Sequence, residues 1–228
     1  MGFALSLANK LRSHLRDHGL AATACKISGA AFRLGSRAVY RNHVEILLEC
    51  DLSLSMPDVS SHGLVVREFV NDDVNALREC IQLHNVHPDY ALERLAYNLG
   101  HGYRAAVGTL DGRIIAYGWL VGQGKSHPAQ RLHNIQVGAD ELFSCDLFVA
   151  PRHRKNNMAF EFLVQAQCVG RELGVKRIVT SILETNRRSL WVHHLAGYRE
   201  ICRHRVHTLL SCTMLCGRKA VLRNDLWF

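Results

Sequence analysis

The sequence predicts an α+β fold in which a mixed sheet is flanked by helices and preceded by a helical extension. Three observations support this prediction. Between Glu141 and Gly174, a strand-like apolar run is followed by a basic turn and a helical pattern. Two further apolar runs flank Asp111-Gly112, a pair that favours the tight turn of a β-hairpin. Near the N-terminus, apolar residues recur every four positions, as on one face of an amphipathic helix.

Residues 1–62 form the predicted extension, and residues 63–228 form the main domain. The extension begins with the amphipathic helix, whose apolar face runs from Phe3 to Leu15, and a second helical stretch follows over 21–40. A strand is predicted at 43–54 and a linker at 56–62. Residues 1–42 carry seven lysines and arginines and one acid, Asp17. Such helices can bind an anionic membrane surface or an acyl carrier protein, or pack on their own domain or a second subunit, and the sequence leaves these alternatives open.

The main domain is predicted to begin with a strand, two helices and a hairpin. The predicted strand lies at 64–69, the helices at 73–83 and 90–99, and the hairpin strands at 103–109 and 113–121. Residues 122–130 are polar and predict a loop, and residues 132–137 predict edge structure that leads into the central strand. After Tyr198, strands at 199–210 and 212–222 complete the sheet.

The central stretch places a basic turn between a buried strand and a helix. Leu142 to Val149 is apolar and rich in β-forming residues, and Pro151 ends the strand because it has no N–H to donate. A helix follows the turn. Since the start of a helix presents unpaired N–H groups and the positive end of the helix dipole, it can hold phosphate. The turn therefore predicts a site for a diphosphate-bearing cofactor, although a solvated basic loop would give the same pattern.

A second strand–turn–helix unit follows the first. Residues 175–183 predict a strand, residues 184–189 a turn and residues 190–196 a short helix that ends at Gly197. Together, the two units resemble the Gcn5-related N-acetyltransferase (GNAT) superfamily. The phosphate loop of that family reads Gln/Arg-x-x-Gly-x-Gly/Ala, and residues 154–159 match it except that Asn157 replaces the first glycine. The family's later signature, Asn-x-x-Ala/Ser and then Gly-Phe/Tyr, is matched by Asn186, Ser189, Gly197 and Tyr198.

The resemblance covers residues 63–222 and implies a mostly antiparallel sheet and an enzyme that uses acetyl-CoA as co-substrate. The pantetheine arm would pair with the backbone near Val149, whose region would also supply an oxyanion donor, and the diphosphate would lie on the amides after Arg154. The donor-binding residues implied are Leu147, Phe148, Val149, Arg154, Lys155, Asn156, Asn157, Met158, Ala159, Asn186 and Ser189. Asparagine tolerates the left-handed conformation that glycine adopts, so binding is expected to survive at Asn157.

The implied reaction is a direct attack of an acceptor amine on the thioester within a ternary complex, which needs a base and an acid. Asp146 and Glu141 are the candidate bases, with Glu184 a weaker third. Asp146 lies within an apolar run, where an unpaired charge is costly, so it needs a structural partner or a catalytic role. The family often has a tyrosine acid four residues before the Gly-Phe pair. Here that position is His193, whose imidazolium could donate a proton near neutral pH, or which could be a packed residue.

Composition narrows the class of protein further. The chain carries a formal charge of +8 and is 48% hydrophobic, as is typical of a soluble globular protein. The eight cysteines are scattered, mostly in apolar segments, which indicates reduced thiols in a cytosolic protein. The group Cys202, His204, His207, Cys212 and Cys216 lacks the paired short spacings of zinc motifs, so no metal is expected. We expect a cytoplasmic protein, and a membrane-peripheral location remains open.

The sequence supports two classes of function. The first is an enzyme that acetylates an amine of a small molecule or a sugar, with transfer of a longer acyl group from acyl-CoA or acyl carrier protein as a variant. The second is a CoA-binding module without turnover, consistent with Asn157 and the missing tyrosine. Nucleic-acid binding ranks last, because few aromatic residues are interleaved with the N-terminal cations. The acceptor and the oligomeric state are not determined by the sequence.

Overall fold

The computed structural model describes residues 40–59, 62–154, 157–209 and 212–216. The chain divides into a larger unit, residues 43–206 and 215–228, and a smaller unit, residues 1–42 and 207–214. In the smaller unit, the described residues are extended. The two predicted N-terminal helices, together with Lys155 and Asn156, lie outside the described residues. Within the described ranges, no helix has the length and apolar character needed to cross a membrane.

Eight strands and five helices are described. The strands are β1 (Tyr40–Asp51), β2 (Val65–Glu68), β3 (Arg104–Leu110), β4 (Arg113–Val121), β5 (Glu141–Val149), β6 (Arg177–Leu183), β7 (Arg199–Leu209) and β8 (Cys212–Cys216). The helices are α1 (Val74–His84), α2 (Pro88–Gly100), α3 (Pro128–His133), α4 (Met158–Glu172) and α5 (Arg187–Leu195). Short 3₁₀ turns span Asn71–Asp73 and Pro151–His153.

The first seven strands form a mixed sheet in the order β2-β3-β4-β5-β6-β1-β7. The pairs β2–β3, β3–β4, β4–β5 and β1–β6 are antiparallel, and β5–β6 is parallel. The predicted hairpin is present, with β3 and β4 joined at Asp111-Gly112, where both residues have positive φ angles. The predicted α+β fold with a mixed sheet is therefore confirmed.

The position of β1 differs from the prediction that residues 1–62 lie outside the main domain. Strand β1 pairs with β6 from Glu45–Leu183 to Asp51–Arg177, so it is an internal strand of the sheet. The apolar pattern of this segment indicated a strand correctly. It could not identify the partner, because the pairing joins residues more than 120 positions apart and leaves no local signal.

Helix α3 differs from the prediction, which gives a polar loop at 122–130 and edge structure at 132–137. The helix is short and depends on its N-terminal cap. The side chain of His127 accepts a hydrogen bond from the Ala129 N–H at 3.2 Å, and the side chain of Gln130 accepts one from the His127 N–H at 2.6 Å. Pro128 follows the cap at the first helical position, where a missing N–H costs nothing. Histidine is not among the usual cap residues, so the pattern was missed.

The core lies on both faces of the sheet. On one face, Trp119 and Phe143 pack with Leu77 of α1 and Leu95 of α2. On the other face, Phe162 of α4 packs with residues of β4 and β5 that include Val149. Strands β4 and β5 are therefore covered on both sides, which fixes the position of the segment that follows Val149.

Candidate active site

The two central parallel strands separate at their C-terminal ends. Strands β5 and β6 pair only from Glu141–Arg177 to Ser144–Thr180. Beyond that point β5 stays paired with β4 as far as Val149, and β6 stays paired with β1 as far as Leu183. The result is an opening in the sheet between the last residues of β5 and those of β6.

A β-bulge in β5 explains this separation. Tyr117 of β4 lies opposite Phe148, whereas Trp119 lies opposite Cys145, so the register shifts by one residue between these pairs. Asp146, inside the bulge, has a φ of 50°. An extra residue on one strand bends that strand and increases its twist, which turns the end of β5 away from β6.

The backbone of Val149 points into the opening. The Ala150 N–H donates to the Ile115 carbonyl of β4 at 2.8 Å. Because backbone groups alternate sides along a strand, the N–H and C=O of Val149 point away from β4. The Val149 carbonyl accepts a hydrogen bond from Arg154 Nε at 2.8 Å, and the Arg154 guanidinium lies 5.7 Å from the centre of the Phe148 ring. Arg154 is thus held against the end of β5 rather than extended into solvent.

The turn after β5 leads directly into α4. Asn157 has φ 59° and ψ 14°, the left-handed conformation expected where the family pattern has glycine. Its side chain does not cap the helix, so Asn157 does not compete with another acceptor for the first N–H groups of α4, near Met158 and Ala159. The buried carboxylate of Glu161 in this first turn is paired with His62 Nδ1 at 2.9 Å.

The second predicted signature forms the start of α5. Asn186 Oδ1 accepts a hydrogen bond from the Ser189 N–H at 3.3 Å, which makes Asn186 the cap of that helix. His193 is only 3% exposed, and its Nδ1 lies 2.8 Å from the Ser189 carbonyl. Burial lowers the pKa of His193 to about 4. The ring is therefore neutral at pH 7, not the imidazolium on which the predicted acid role depends, and that role stays a prediction.

Asp146 has the partner that its apolar surroundings require. Arg94 of α2 donates from Nε at 3.1 Å and from Nη2 at 2.6 Å to Asp146 Oδ2, and Asn98 Nδ2 lies 3.4 Å from the same oxygen. Arg94 Nη2 also lies 2.5 Å from His127 Nε2. Burial, reinforced by Arg94, outweighs the opposing effect of Asp146 and lowers the pKa of His127 to about 4. Asp146 is 35% exposed and remains accessible to a ligand.

A cavity of about 300 Å³ lies beside this network, between α1, α2 and the strands β4 and β5. Its walls include Tyr90, Arg94, Tyr117, Trp119, Asp146 and Phe148. The Tyr117 and Phe148 rings are stacked with centroids 5.3 Å apart. Burial, and then the charge of Asp146, raise the pKa of Tyr117 to about 12, so its hydroxyl stays protonated. The cavity adjoins the same part of β5 as the opening between the strands.

Glu141 lies away from this site. It is at the start of β5, opposite Arg177, whereas the opening is at the other end of the strand. Its carboxylate accepts hydrogen bonds from Arg177 and, at 3.0 Å, from the Gly138 N–H. The structure thus gives Glu141 a structural contact and does not bring it to Asp146. Glu184, the third candidate base, pairs with Arg203 at 2.8 Å on the surface.

One group of three metal-ligating side chains lies close together among the described residues. His127, Cys145 and Asp146 offer ligand atoms within 4.8 Å of one another, but the Arg94 guanidinium contacts both His127 and Asp146, so a cation already lies between them. Among the C-terminal cysteines and histidines considered in the sequence analysis, Cys202 Sγ lies 3.3 Å from His204 Nε2. His204 Nδ1 lies 2.9 Å from Nδ1 of His133, a residue of α3 that the sequence pattern did not include.

Two residues of the site were missed by sequence reasoning: Arg94 and Tyr117. The sequence places Arg94 on a helix and Tyr117 in a hairpin strand, and nothing local distinguishes either one. The unpaired charge of Asp146 was a signal that a cation should lie nearby, but it could not say which of the 28 lysines and arginines was the partner.

Comparison with known proteins gives structural matches without sequence matches. No family model matches the chain, and no curated protein matches it. Among solved structures, a GCN5-related glucosamine N-acetyltransferase region of a fungal multi-domain β-N-acetylglucosaminidase has a TM-score of 0.55 at 16% identity. That match covers 79% of this chain and 22% of the fungal chain.

Two bacterial structures give similar values. The GCN5-related N-acetyltransferase from Sphaerobacter thermophilus has a TM-score of 0.51 at 19% identity, covering 86% of this chain and 59% of that one. The GNAT-family acetyltransferase from Colwellia psychrerythraea has a TM-score of 0.52 at 12% identity, covering 79% and 60%. This chain thus spans less than two thirds of each of these proteins. It has the fold of the GNAT superfamily, as the sequence resemblance predicted.

Proposed function

We propose that the protein is an acyltransferase that moves an acetyl group from acetyl-CoA to the amine of a small molecule, by direct attack in a ternary complex. The observation that carries this proposal is the separation of β5 from β6 after Ser144 and Thr180. It exposes the edge of β5 inside a sheet in which β4–β5 and β1–β6 stay paired beyond that point, and an extended ligand can add to such an edge as an extra strand.

The residues around the opening fit the parts of the acetyl donor. The Val149 C=O, which already accepts from Arg154 Nε, has a second lone pair for an amide N–H of the pantetheine arm, and the Val149 N–H is left for the thioester oxygen. The start of α4, after the left-handed Asn157, offers N–H groups and a dipole to the diphosphate. Arg154 lies beside both, and the guanidinium donors that are not bonded to Val149 can contact phosphate.

The chemistry requires that a thioester carbonyl, an amine and a proton acceptor meet. The N–H of Val149 points into the opening and is the oxyanion donor in this proposal. Asp146, two positions before Phe148 and lining the adjoining cavity, receives the proton of the acceptor amine. Tyr117, which is protonated across the physiological range, is a second proton donor in the cavity besides the predicted His193.

Two measurements test the proposal. Acetyl-CoA at 100 times its dissociation constant should stabilise the protein by about 2.7 kcal/mol in thermal unfolding, and longer acyl-CoAs and free CoA compared in parallel indicate the acyl length. Release of the CoA thiol is then measured with a panel of amines. No thermal shift with any donor overturns the proposal, and a shift without thiol release would identify a binding module instead.

A further inference from the structure

The volume, charges and lining of the cavity beside Asp146 indicate which kind of acceptor can bind, whereas the fold alone does not. It is bounded by α1, α2, β4 and β5 and shares Asp146, Leu147 and Phe148 with the end of the donor opening. Its volume of about 300 Å³ is at the low end of the range for ligand pockets, which suits a compact molecule.

The charges of the cavity suit a single cation. Asp146 is the one acid among the lining residues, and Arg94 is the one arginine or lysine. Arg94 and Asn98 direct their hydrogen bonds at Oδ2 of Asp146, and within the described part of the chain no hydrogen bond reaches Oδ1. One ammonium group can therefore bind at Oδ1, whereas a second ammonium on the same molecule would find no carboxylate in the cavity.

The walls of the cavity suit an apolar body. Eight of the twelve lining residues are apolar or aromatic: Tyr90, Tyr117, Trp119, Phe148, Ile81, Ala91, Leu95 and Leu147. The other four are Asn85, His87 and the bonded pair of Arg94 and Asp146. Aromatic rings favour stacked or edge-to-face contacts with another ring. A sugar would place several hydroxyls against the apolar walls, and each buried hydroxyl without a partner is unfavourable.

We infer that the acceptor is a compact primary monoamine whose amine is attached to an apolar, ring-bearing body, as in an arylalkylamine. The inference rests on the proposed function. The ammonium binds Asp146 Oδ1 and gives up a proton there, and the amine nitrogen attacks the thioester carbon. The attack forms the new N–C bond, the C–S bond then breaks, and the departing CoA thiolate takes a proton from the Tyr117 hydroxyl, which regains one from the attacking nitrogen. The products are the amide, CoA thiol and one proton.

A substrate panel tests the inference separately from the proposed function. CoA thiol release is measured with 2-phenylethylamine, glucosamine and spermidine. We expect kcat/KM for 2-phenylethylamine to exceed the other two by about tenfold or more. If glucosamine or spermidine is preferred, the inference is overturned and the transferase function stands. If no amine causes thiol release, both are overturned.

Two variants connect the preference to the cavity. Asp146→Asn should raise the KM for 2-phenylethylamine about tenfold without changing the affinity for acetyl-CoA, because one charge-assisted hydrogen bond is lost. Tyr90→Ala removes an aromatic wall that is 64% exposed, so the fold should tolerate it. It should lower kcat/KM about threefold for 2-phenylethylamine and leave ethylamine unchanged.

The matched control is Glu200→Gln, which alters a surface carboxylate paired with Arg203 at 2.6 Å, outside the cavity. It should leave every constant unchanged. An equal loss for 2-phenylethylamine and ethylamine in Tyr90→Ala, or an unchanged KM in Asp146→Asn, would contradict the assignment of the cavity to the acceptor.

Discussion

Arg94 of α2 and Asp146 of β5 lie 52 positions apart in the chain and form a two-point contact, with Nε at 3.1 Å and Nη2 at 2.6 Å from a single carboxylate oxygen. The contact fixes the carboxylate at a bulge that also bends β5 away from β6. One structural irregularity therefore both opens the groove proposed for the donor and positions the group proposed to receive the acceptor's proton.

Arg94→Gln should impair turnover without affecting donor binding. Without its partner, the Asp146 side chain is no longer fixed, and we expect kcat/KM for the acceptor to fall about tenfold or more. The loss of a hydrogen bond to a charged group should lower the free energy of unfolding by about 1–2 kcal/mol, since both side chains are partly exposed. Thiol release and acetyl-CoA calorimetry separate the two effects. Arg203→Gln, on a surface pair, is the control, and unchanged turnover in Arg94→Gln would refute the positioning role.

Arg154→Ala should weaken the affinity for acetyl-CoA by about tenfold to a hundredfold, because a guanidinium–phosphate contact contributes about 1.5–3 kcal/mol. Stability should change little, as the side chain is on the surface turn and its one described hydrogen bond is to the Val149 carbonyl. Titration calorimetry with acetyl-CoA measures the effect. Arg104→Ala, which removes a surface contact to Glu68, should leave the affinity unchanged. If Arg154→Ala and Arg104→Ala bind acetyl-CoA with equal affinity, Arg154 does not contact the phosphates.

Asn157 can be tested through its left-handed backbone. Asn157→Gly relieves the steric cost of this conformation, so stability and acetyl-CoA affinity should be maintained or increased. Asn157→Val should lower the free energy of unfolding by about 1–2 kcal/mol and weaken donor binding, since a branched side chain is unfavourable there. Asn134 is a matched control, because it has the same conformation with φ 54° at the end of α3. Asn134→Gly should leave donor affinity unchanged, and a parallel change in both glycine variants would argue against a phosphate site at Asn157.

Glu141→Gln separates stability from catalysis. The carboxylate is bonded to Arg177 and the Gly138 N–H, so its neutralisation should lower the free energy of unfolding by about 1–3 kcal/mol. Arg177 keeps a second acid, Glu49, at 3.6 Å, which limits the loss. Because Glu141 is at the far end of β5 from the opening, kcat should be unchanged at a temperature where the variant is folded. The effects are measured by denaturant unfolding and by thiol release. A large fall in kcat would show that Glu141 acts in catalysis, as a candidate general base.

The buried histidines predict that acid destabilises the protein. The pKa values of His127 and His193 are about 4 in the folded state, against 6.5 for an unburied histidine. The unfolded state therefore binds more protons between pH 6.5 and pH 4, so stability is fully present above pH 6.5 and is lost as pH falls towards 4. Each histidine contributes a slope of up to about 1.4 kcal/mol per pH unit in this window.

Chemical denaturation between pH 7 and pH 5 measures this dependence. His193→Phe should reduce the slope, and an unchanged slope would show that His193 is not buried and neutral. The same variant tests the predicted acid role, for which turnover should fall while acetyl-CoA binding is little changed. The exposed His87, changed to Asn, is a control for the slope.

The local pattern of the sequence was sufficient for most elements and for the geometry of the turn after β5. Strand β4 was predicted with the bounds that the structure has, and the strand–turn–helix order from Leu142 onwards placed Arg154 and Asn157 beside the end of β5. Asparagine at the position of a glycine implied a left-handed residue, and Asn157 has that conformation. These features depend on side-chain periodicity and backbone preference within a few residues, which a sequence displays directly.

The tertiary structure decided what depends on distant pairs. The insertion of β1 beside β6, the contact of Arg94 with Asp146 and the cavity between α1, α2 and the sheet all join segments that are far apart in the chain. The bulge at Asp146 arises from the register of β5 against β4, and no local pattern in β5 predicts it. The sequence by itself determined most of the strands and helices and the basic turn that leads into α4, because those follow from neighbouring residues. Packing among remote segments decided which strands separate, which carboxylate has a partner and where the cavity lies, because such contacts are selected by the fold as a whole.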